Sequence, residues 1–408
     1  MFPAKRFKNK HILVGITGGI AAYKAVELIR YLVTQQAEVR VVMTAAAEQF
    51  ITRLTLETLS QNPVVSQMFP QQHFGGTHHI HLADWAEAAV IVPATYNFIG
   101  KYCAGIADDA LSTIAAALHC PIVIAPAMNV HMWENPVLQR NLKDLQETGI
   151  SVCPPEEGFL AEGYSGRGRL ARLESLIQYL YRALHPYPQS LQGKKVLITA
   201  GRTEEPLDPV RFLTNRSSGK MGFALAWEAF ARGAEVVLIH GPGHLQLPAE
   251  IKTHAVRKAE EMFNAVQQYL PDSDIFVSTA AVADYTPVNY EEHKIKKQDQ
   301  GISLELKRTT DILSYTAQHK KTNQKRVGFA VETRRGEENA RHKMDTKNLD
   351  MVVLNNPLEA GAGFETDTNR TILLGRDGRK RELPLLPKLD NAFQIFEFLI
   401  NEKSSSVK

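Results

Sequence analysis

The sequence predicts an α/β protein of two doubly wound domains with mainly parallel sheets. Three observations predict it. Strands alternate with helices along the whole chain, two separate β-loop-α-β units open in different places, and a proline-containing polar stretch lies between them. The first unit is HILVGITGGIAAYKAVELIRYLVTQQAEVRVVMT, His11 to Thr44. The second is GKKVLITAGRTEEPLDPVRFLTNRSSGKMGFALAWEAFARGAEVVLIHGP, Gly193 to Pro242. The predicted domains are therefore 1–185 and 193–408, with 186–192 as linker.

Each element has a local reason. Strand His11–Ile16 is β-branched and apolar, and runs into Thr17-Gly18-Gly19. Helix Ile20–Thr34 puts Val26, Ile29 and Leu32 on one face and Lys24, Glu27 and Arg30 on the polar one. Strand Glu38–Met43 ends at Thr44, and a helix is expected over Glu48–Ser60. Ala88–Val92 and Pro121–Ala125 read as buried strands, ending in PATYN and PAMNVHMWENP. Helices are expected over Phe98–Cys103, Asp108–His119, Pro136–Glu147 and Leu173–Ala183, with a glycine-rich loop at Gly158–Gly168. In the second domain, strands are expected at Lys195–Thr199, Val236–His240, Asp274–Ser278, Ile302–Leu306, Arg326–Val331 and Met351–Leu354, with a helix from Gly219 to Arg232.

Composition narrows the function. The chain has 408 residues, 44% hydrophobic and 22% charged, an ordinary globular balance. A net charge of +3 is too small to argue for nucleic acid. Cys103, Cys120 and Cys153 show neither metal nor redox spacing, which suits a reducing, cytoplasmic setting. Basic MFPAKRFKNK before an apolar run imitates a signal peptide, but a strand and glycine turn explain the same residues better. No apolar run reaches membrane-spanning length.

Gly15-Ile16-Thr17-Gly18-Gly19 lets backbone N–H groups approach an anion at a helix start. Thr44, Thr95 and Asn97 of PATYN, and Ser112 add polar groups at or beyond strand ends, where open α/β sheets bind ligands. Together they favour a mononucleotide or flavin site. His78, His79 and His81 lack a second cluster of zinc-like spacing, so no metal site is expected; His79 is the preferred base.

In order along the chain, GGIAAYK, HIHLADWAE, PATYN, PAMNVHMW and GYSGRGR resemble the flavin-dependent cysteine decarboxylases. NRSSGKMG (215–222), AAVAD (280–284), KIKK (294–297), VGFA (327–330) and KNLD (347–350) resemble phosphopantothenoylcysteine synthetase. The combination, from Ile12 to Phe398, resembles the bifunctional phosphopantothenoylcysteine decarboxylase and phosphopantothenate–cysteine ligase family of coenzyme A biosynthesis.

The resemblance implies FMN in the N-terminal domain. Oxidation of the substrate thiol to a thioaldehyde would give the electrons of the departing CO2 a place to go, and the cofactor would then return them. It implies His79 as base and Asn129 as the amide that binds the substrate carboxylate. Where the family's loop carries a proton-donating cysteine, this sequence has Glu162. Either that carboxyl donates the proton, or the loop is a lid and the donor lies elsewhere; the first reading is preferred. For the C-terminal domain the resemblance implies CTP with Mg²⁺, and activation of 4′-phosphopantothenate as an acyl-cytidylate for attack by cysteine. Ser217, Ser218 and Gly219 would cradle phosphate. Lys294, with Lys296 and Lys297, and Lys343 and Lys347 would face the triphosphate, while Ala280, Asp284, Asp311 and Phe329 would contact the nucleotide. Asn215 would act on the activated intermediate. It also implies a homo-oligomer, trimeric decarboxylase units joined by dimeric ligase units. A flavin-binding regulatory protein and a peptidyl-cysteine decarboxylase remain alternatives, although neither needs the ligase-like half.

Overall fold

The apolar runs read from the sequence pair into two separate sheets. A computed structural model describes residues 7–68, 78–159, 163–243, 245, 250–296, 303–332, 335–356, 361, 363 and 365–401. The chain divides into two compact units between residues 188 and 189.

In the N-terminal unit, β1 (His11–Ile16) leads into α1 (Ala22–Thr34) and β2 (Glu38–Met43). The expected helix over Glu48–Ser60 is a 3₁₀ turn, Ala47–Gln49, followed by α2 (Arg53–Ser60). The break falls at Thr52, whose hydroxyl accepts from the Thr55 N–H at 3.3 Å and starts α2 anew. Then come α3 (His78–Trp85), β3 (Ala88–Ala94), α4 (Tyr96–Cys103), α5 (Ala110–Ala117) and β4 (Ile122–Pro126). After α6 (Val130–Trp133), α7 (Pro136–Glu147) and β5 (Ser151–Val152), the chain makes an antiparallel hairpin, β6 (Glu156–Phe159) with β7 (Ser165–Arg169). It closes with α8 (Leu173–Ala183). The five-stranded sheet has order β2-β1-β3-β4-β5 and is parallel throughout. All of β3 is buried, because helices cover both faces of a parallel sheet. The strand order reverses between β1 and β3, so the ligand crevice is expected outside their carboxyl ends.

The C-terminal unit starts with β8 (Lys195–Ala200), a hairpin of β9 (Glu204–Pro206) and β10 (Phe212–Thr214), α9 (Lys220–Ala231) and β11 (Glu235–His240). It continues through β12 (Lys252–Ala255), α10 (Ala259–Tyr269), β13 (Ile275–Ser278) and a second hairpin, β14 (Tyr285–Pro287) with β15 (Leu306–Arg308). The strand expected over Ile302–Leu306 therefore starts only at Leu306, residues 301 and 302 lying outside the described residues. α11 (Ile312–Gln318), β16 (Lys325–Val331), α12 (Gly336–Thr346) and β17 (Met351–Asn355) follow. Short strands β18 (Thr368–Asn369), β19 (Thr371–Gly375), β20 (Lys380–Glu382) and β21 (Leu386–Pro387) lead to α13 (Lys388–Ile400). The eight-stranded sheet has order β12-β11-β8-β13-β16-β17-β19-β20; its last two strands run antiparallel. Here the order reverses between β8 and β13. α9 packs against α13. At that contact the buried Arg232 guanidinium pairs with Glu228 and Glu397, each at 2.8 Å. Loss of one partner from such a buried pair costs about 3–5 kcal/mol.

Candidate active sites

A cavity of about 680 Å³ opens at the carboxyl ends of β1, β3 and β4. Gly18 and Gly19 line it after β1, Pro93, Thr95 and Tyr96 at and after the end of β3, and Ala127, Met128 and Asn129 after β4. Buried Thr17 fixes the strand ends: its hydroxyl donates to the Pro93 carbonyl at 2.7 Å and accepts from the Thr95 N–H at 3.0 Å. Thr95 in turn caps α4 by accepting from the Phe98 N–H. The β6–β7 hairpin reaches the same cavity through Phe159, Gly168 and Arg169. Gly168 has φ +151°, its carbonyl accepts from the Met128 N–H at 3.0 Å, and a Cβ there would collide with the Met128 carbonyl. Only glycine lets β7 lie this close to the Ala127–Asn129 turn.

Asn129 caps α6: its Oδ1 accepts from the His131 N–H at 2.9 Å, while Nδ2 donates to the Tyr164 hydroxyl. The amide is thus oriented with its donor end free of the cap, as a carboxylate ligand requires. Thr44 follows β2, near Ala46, which packs on Gly18; its hydroxyl is buried with no hydrogen-bond partner. Such an orphaned donor invites a ligand acceptor. Asn97 is exposed on α4 and does not line the cavity, and Ser112 is buried in α5 with its hydroxyl bonded to Asp109 as a capping box. His79 lies half-buried in the first turn of α3, which packs on α5, away from the cavity lining. Glu162 lies outside the described residues. Lys24, read from the sequence as part of a solvated face, lines the cavity instead. Its pKa falls below the ordinary lysine value, first by burial and then by the neighbouring Arg169 charge. Arg169, Tyr23, Phe159 and Tyr164 were the other residues sequence reasoning passed over; the signal for Tyr23, Tyr164 and Arg169 was present in GGIAAYK and GYSGRGR as whole motifs, while Phe159 lies in neither.

In the C-terminal unit, the residues gather at the β8/β13 reversal. Asn215 donates to the carbonyls of Ala281 and Val282 at 3.1 and 3.2 Å, tying the stretch before α9 to the segment that follows β13. Buried Ser217 accepts from the Gly219 N–H at 3.4 Å. Gly219, at φ +77°, caps α9 in the left-handed region that glycine enters without strain, and Ser218 lies between them. Ala280 follows β13, its N–H 3.5 Å from the Thr199 hydroxyl.

A charged cluster stands on the adjoining strand ends. Asp311 caps α11 and receives the Lys347 ammonium at 2.6 Å; Lys347 also reaches the Ser314 hydroxyl at 2.6 Å. Burial pushes the Asp311 pKa up, but the hydrogen bonds from Lys347 and Ser314 outweigh it and hold the carboxyl below its ordinary value. Lys343 donates to the Phe329 carbonyl at 2.8 Å. Its pKa is lowered chiefly by burial and also by Lys347, while Asp311, Glu332 and Asp284 oppose the fall. Asp284, Asp311, Phe329, Lys343 and Lys347 therefore form one group. Lys294 is exposed and has no hydrogen bond to that group among the described residues. Its neighbour Ile295 is moored, N–H to Asp208 at 3.1 Å and carbonyl to Arg211 at 3.0 Å. Lys297 lies outside the described residues. Lys220, at the head of α9, turns to the Glu365 carbonyl (2.8 Å) and the Asp367 carboxylate (2.7 Å). Among the described residues no group of three or more His, Cys, Asp or Glu could hold a metal ion, and no helix is long and apolar enough to cross a membrane.

Fold and site together define a flavoprotein-type α/β unit joined to a second nucleotide-type α/β unit. Residues 3–185 match the flavoprotein family, and residues 191–402 match the DNA/pantothenate metabolism flavoprotein C-terminal domain. The chain is 46% identical over 391 residues to the coenzyme A biosynthesis bifunctional protein CoaBC of Bacillus subtilis (strain 168), covering 95% of this chain and 96% of that protein. It is 43% identical to the Haemophilus influenzae CoaBC, covering 97% and 98%. The crystal structure of a CoaBC C-terminal domain is 41% identical and covers 52% of this chain and 96% of its own, with a TM-score of 0.45. The chain belongs to the CoaBC family of bifunctional coenzyme A biosynthesis proteins, as its motifs led one to expect.

Proposed function

We propose that this chain ligates cysteine to 4′-phosphopantothenate with CTP and Mg²⁺, then decarboxylates the product with FMN to give 4′-phosphopantetheine, in the cytoplasm. The observation that carries the reading is the near-full-length likeness to CoaBC, which spans both halves.

The N-terminal cavity fits a flavin mononucleotide. The glycine turn before α1 suits its phosphate, and the largely apolar lining suits a flat ring, while the Thr44 hydroxyl is buried behind that turn and does not line the cavity. Bound there, the flavin supplies a two-electron oxidant and later returns the electrons. Asn129 holds the substrate carboxylate with a neutral donor, so that the group is oriented without being stabilised too strongly to leave. His79 takes a proton from the substrate. Because His79 does not line this cavity, an oligomer whose neighbouring copy supplies it is part of the reading, with trimeric decarboxylase units joined by dimeric ligase units. Glu162 returns the last proton; Glu162→Gln is expected to release CO₂ yet accumulate the unsaturated enethiol product.

In the C-terminal unit, the α9 head, with Ser217, Ser218 and Gly219, receives phosphate. Lys343, Lys347 and, on its moored loop, Lys294 neutralise the charge that builds on pyrophosphate as it leaves. Asp284, Asp311, Phe329 and Ala280 contact the nucleotide, and Asn215 holds the activated intermediate for cysteine.

Purified protein incubated with 4′-phosphopantothenate, cysteine, CTP and Mg²⁺ tests the proposal. Product masses are expected to show phosphopantothenoylcysteine and then 4′-phosphopantetheine, with flavin absorbance on the protein. Formation of neither product would sink it.

A further inference from the structure

Lys24 and Arg169 are the two cations that line the N-terminal cavity, and among the described residues neither makes a salt bridge or a side-chain hydrogen bond. Their charges act on one another, since Arg169 is the second-largest influence depressing the Lys24 pKa. The nearest acids do not cancel them. Glu156 is engaged by Arg172, and Glu27 acts on Lys24 more weakly than Arg169 does. Much of the remaining lining is apolar, including Ile20, Tyr23 and Phe159. Two cations left unpaired at an apolar-lined cavity are costly unless an anion enters between them.

The proposed decarboxylase reading, on which this inference rests, offers three anions. The cysteine carboxylate must leave as CO₂, and a pair of full positive charges beside it would stabilise the ground state that has to break down. The neutral Asn129 amide serves that group better. Under the same reading the flavin phosphate takes the Gly18–Gly19 turn at the start of α1. The remaining anion is the phosphate at the far end of the substrate, a spectator whose binding energy holds the ground state and the transition state alike. Arg169 ends β7 and Lys24 stands on α1, and each charge acts on the other, so two elements present their cations to one anion.

We propose that Lys24 and Arg169 form the subsite for the terminal phosphate of the decarboxylase substrate and set its preference for the phosphorylated over the dephosphorylated acyl-cysteine.

The test measures CO₂ release by the full chain from 4′-phosphopantothenoylcysteine and from pantothenoylcysteine. The parent and the Lys24→Gln, Arg169→Gln, Lys24→Arg and Arg169→Lys variants are compared, with bound flavin counted in each. Each glutamine variant is expected to raise KM for the phosphorylated substrate about tenfold, the scale of one lost charge-assisted hydrogen bond. Turnover at saturation, KM for pantothenoylcysteine and flavin content are expected to stay at the parent values, and the charge-keeping variants to recover most of the loss. Inorganic phosphate is expected to compete with the phosphorylated substrate in the parent and not in the glutamine variants. Equal KM values for the two substrates in the parent would overturn the inference while leaving the decarboxylase reading intact. Equal losses on both substrates would also overturn it, by moving the cations to the carboxylate. Flavin loss reversed by added FMN would reassign them to the flavin phosphate. A parent that decarboxylates neither substrate would remove the proposed function itself, and this inference with it.

Discussion

The N-terminal cavity and the C-terminal cluster both sit at carboxyl ends of parallel strands beside a reversal of strand order, yet they handle charge differently. The N-terminal lining consists of backbone turns, small residues and apolar side chains, and its two cations are unpaired. The C-terminal site is a mesh of paired charges: Lys347 with Asp311, Lys220 with Asp367, and Lys343 on a carbonyl with three acids acting on it. A cavity of the first kind is prepared for a flat, largely apolar group that stays. A mesh of the second kind suits the proposed exchange of a triphosphate for pyrophosphate, because Lys347 and Lys220 keep a carboxylate partner when no substrate is present.

The widest separation between the sites is expected from a reciprocal pair of variants. Asn215→Asp places a carboxylate against the Ala281 and Val282 carbonyls and is expected to cut ligation about a hundredfold, the usual scale for losing an oriented donor. Asn129→Asp is expected to cut decarboxylation by about as much. Each is expected to leave the other activity within about twofold, measured as phosphopantothenoylcysteine formation and CO₂ release on the same preparations. If either variant stops both reactions, the two sites are not the independent devices that this contrast describes.

A smaller effect, and one confined to the C-terminal mesh, concerns Lys343. Burial depresses its pKa, so its charge is lost at lower pH than that of a free lysine. The KM for CTP is expected to rise as pH climbs toward that value. Lys343→Met is expected to raise KM about tenfold at neutral pH and to flatten the alkaline limb. Lys343→Arg, which stays charged, is expected to keep a low KM to higher pH. Smaller again is Lys220→Gln, which frees the segment carrying Glu365 and Asp367 and is expected to slow ligation about threefold, since exposed pairs are worth at most about 1 kcal/mol.

Much of this was legible in the sequence. The βαβ periodicity gave both parallel sheets, because strands buried on both faces are written as unbroken apolar runs, as in all-buried Ala88–Ala94. Gly18, Gly19, Thr95 and Asn129 were legible as cavity-lining residues because they stand in the turns that follow β1, β3 and β4. Lys24 was not: a lysine in the first turn of an amphipathic helix reads as solvated, and only the β6–β7 hairpin folding over the cavity gives it a different setting. Ser112 misled for the opposite reason, as a small polar residue at a helix start that the Asp109 capping box uses internally. Asp311 and Lys347 are 36 residues apart and meet only through the sheet order, which no local pattern encodes. The short antiparallel strands β19 and β20 escaped notice because three to five residues carry too little alternation to stand out.

The finest test of the contrast is Lys388, the member of the C-terminal mesh that departs from it. This lysine is 4% exposed at the head of α13, and among the described residues its ammonium bonds to no carboxylate, only to the carbonyls of Thr366 and Gly363. Burial foremost, and then the nearby Lys220 charge, bring its pKa from 10.5 to about 8, while Asp367 opposes the fall. The folded state therefore releases this proton at lower pH than the unfolded chain does. Between about pH 8 and 10.5 the unfolded state holds more protons at this site, so stability contributed here rises with pH. Lys388→Met keeps the stem and deletes the titration. The parent is expected to gain on the order of 1 kcal/mol relative to Lys388→Met across that window. Urea midpoints supply the measurement, with Trp227 left as the sole tryptophan by Trp85→Phe and Trp133→Phe so that only the C-terminal unit is followed. A parent-minus-variant difference that is flat with pH would mean that Lys388 titrates as it does in the unfolded chain. Lys388 would then carry no burial cost despite its carbonyl-only partners, and the contrast with the unpaired Lys24 and Arg169 would rest on the ion-paired Lys347 and Lys220.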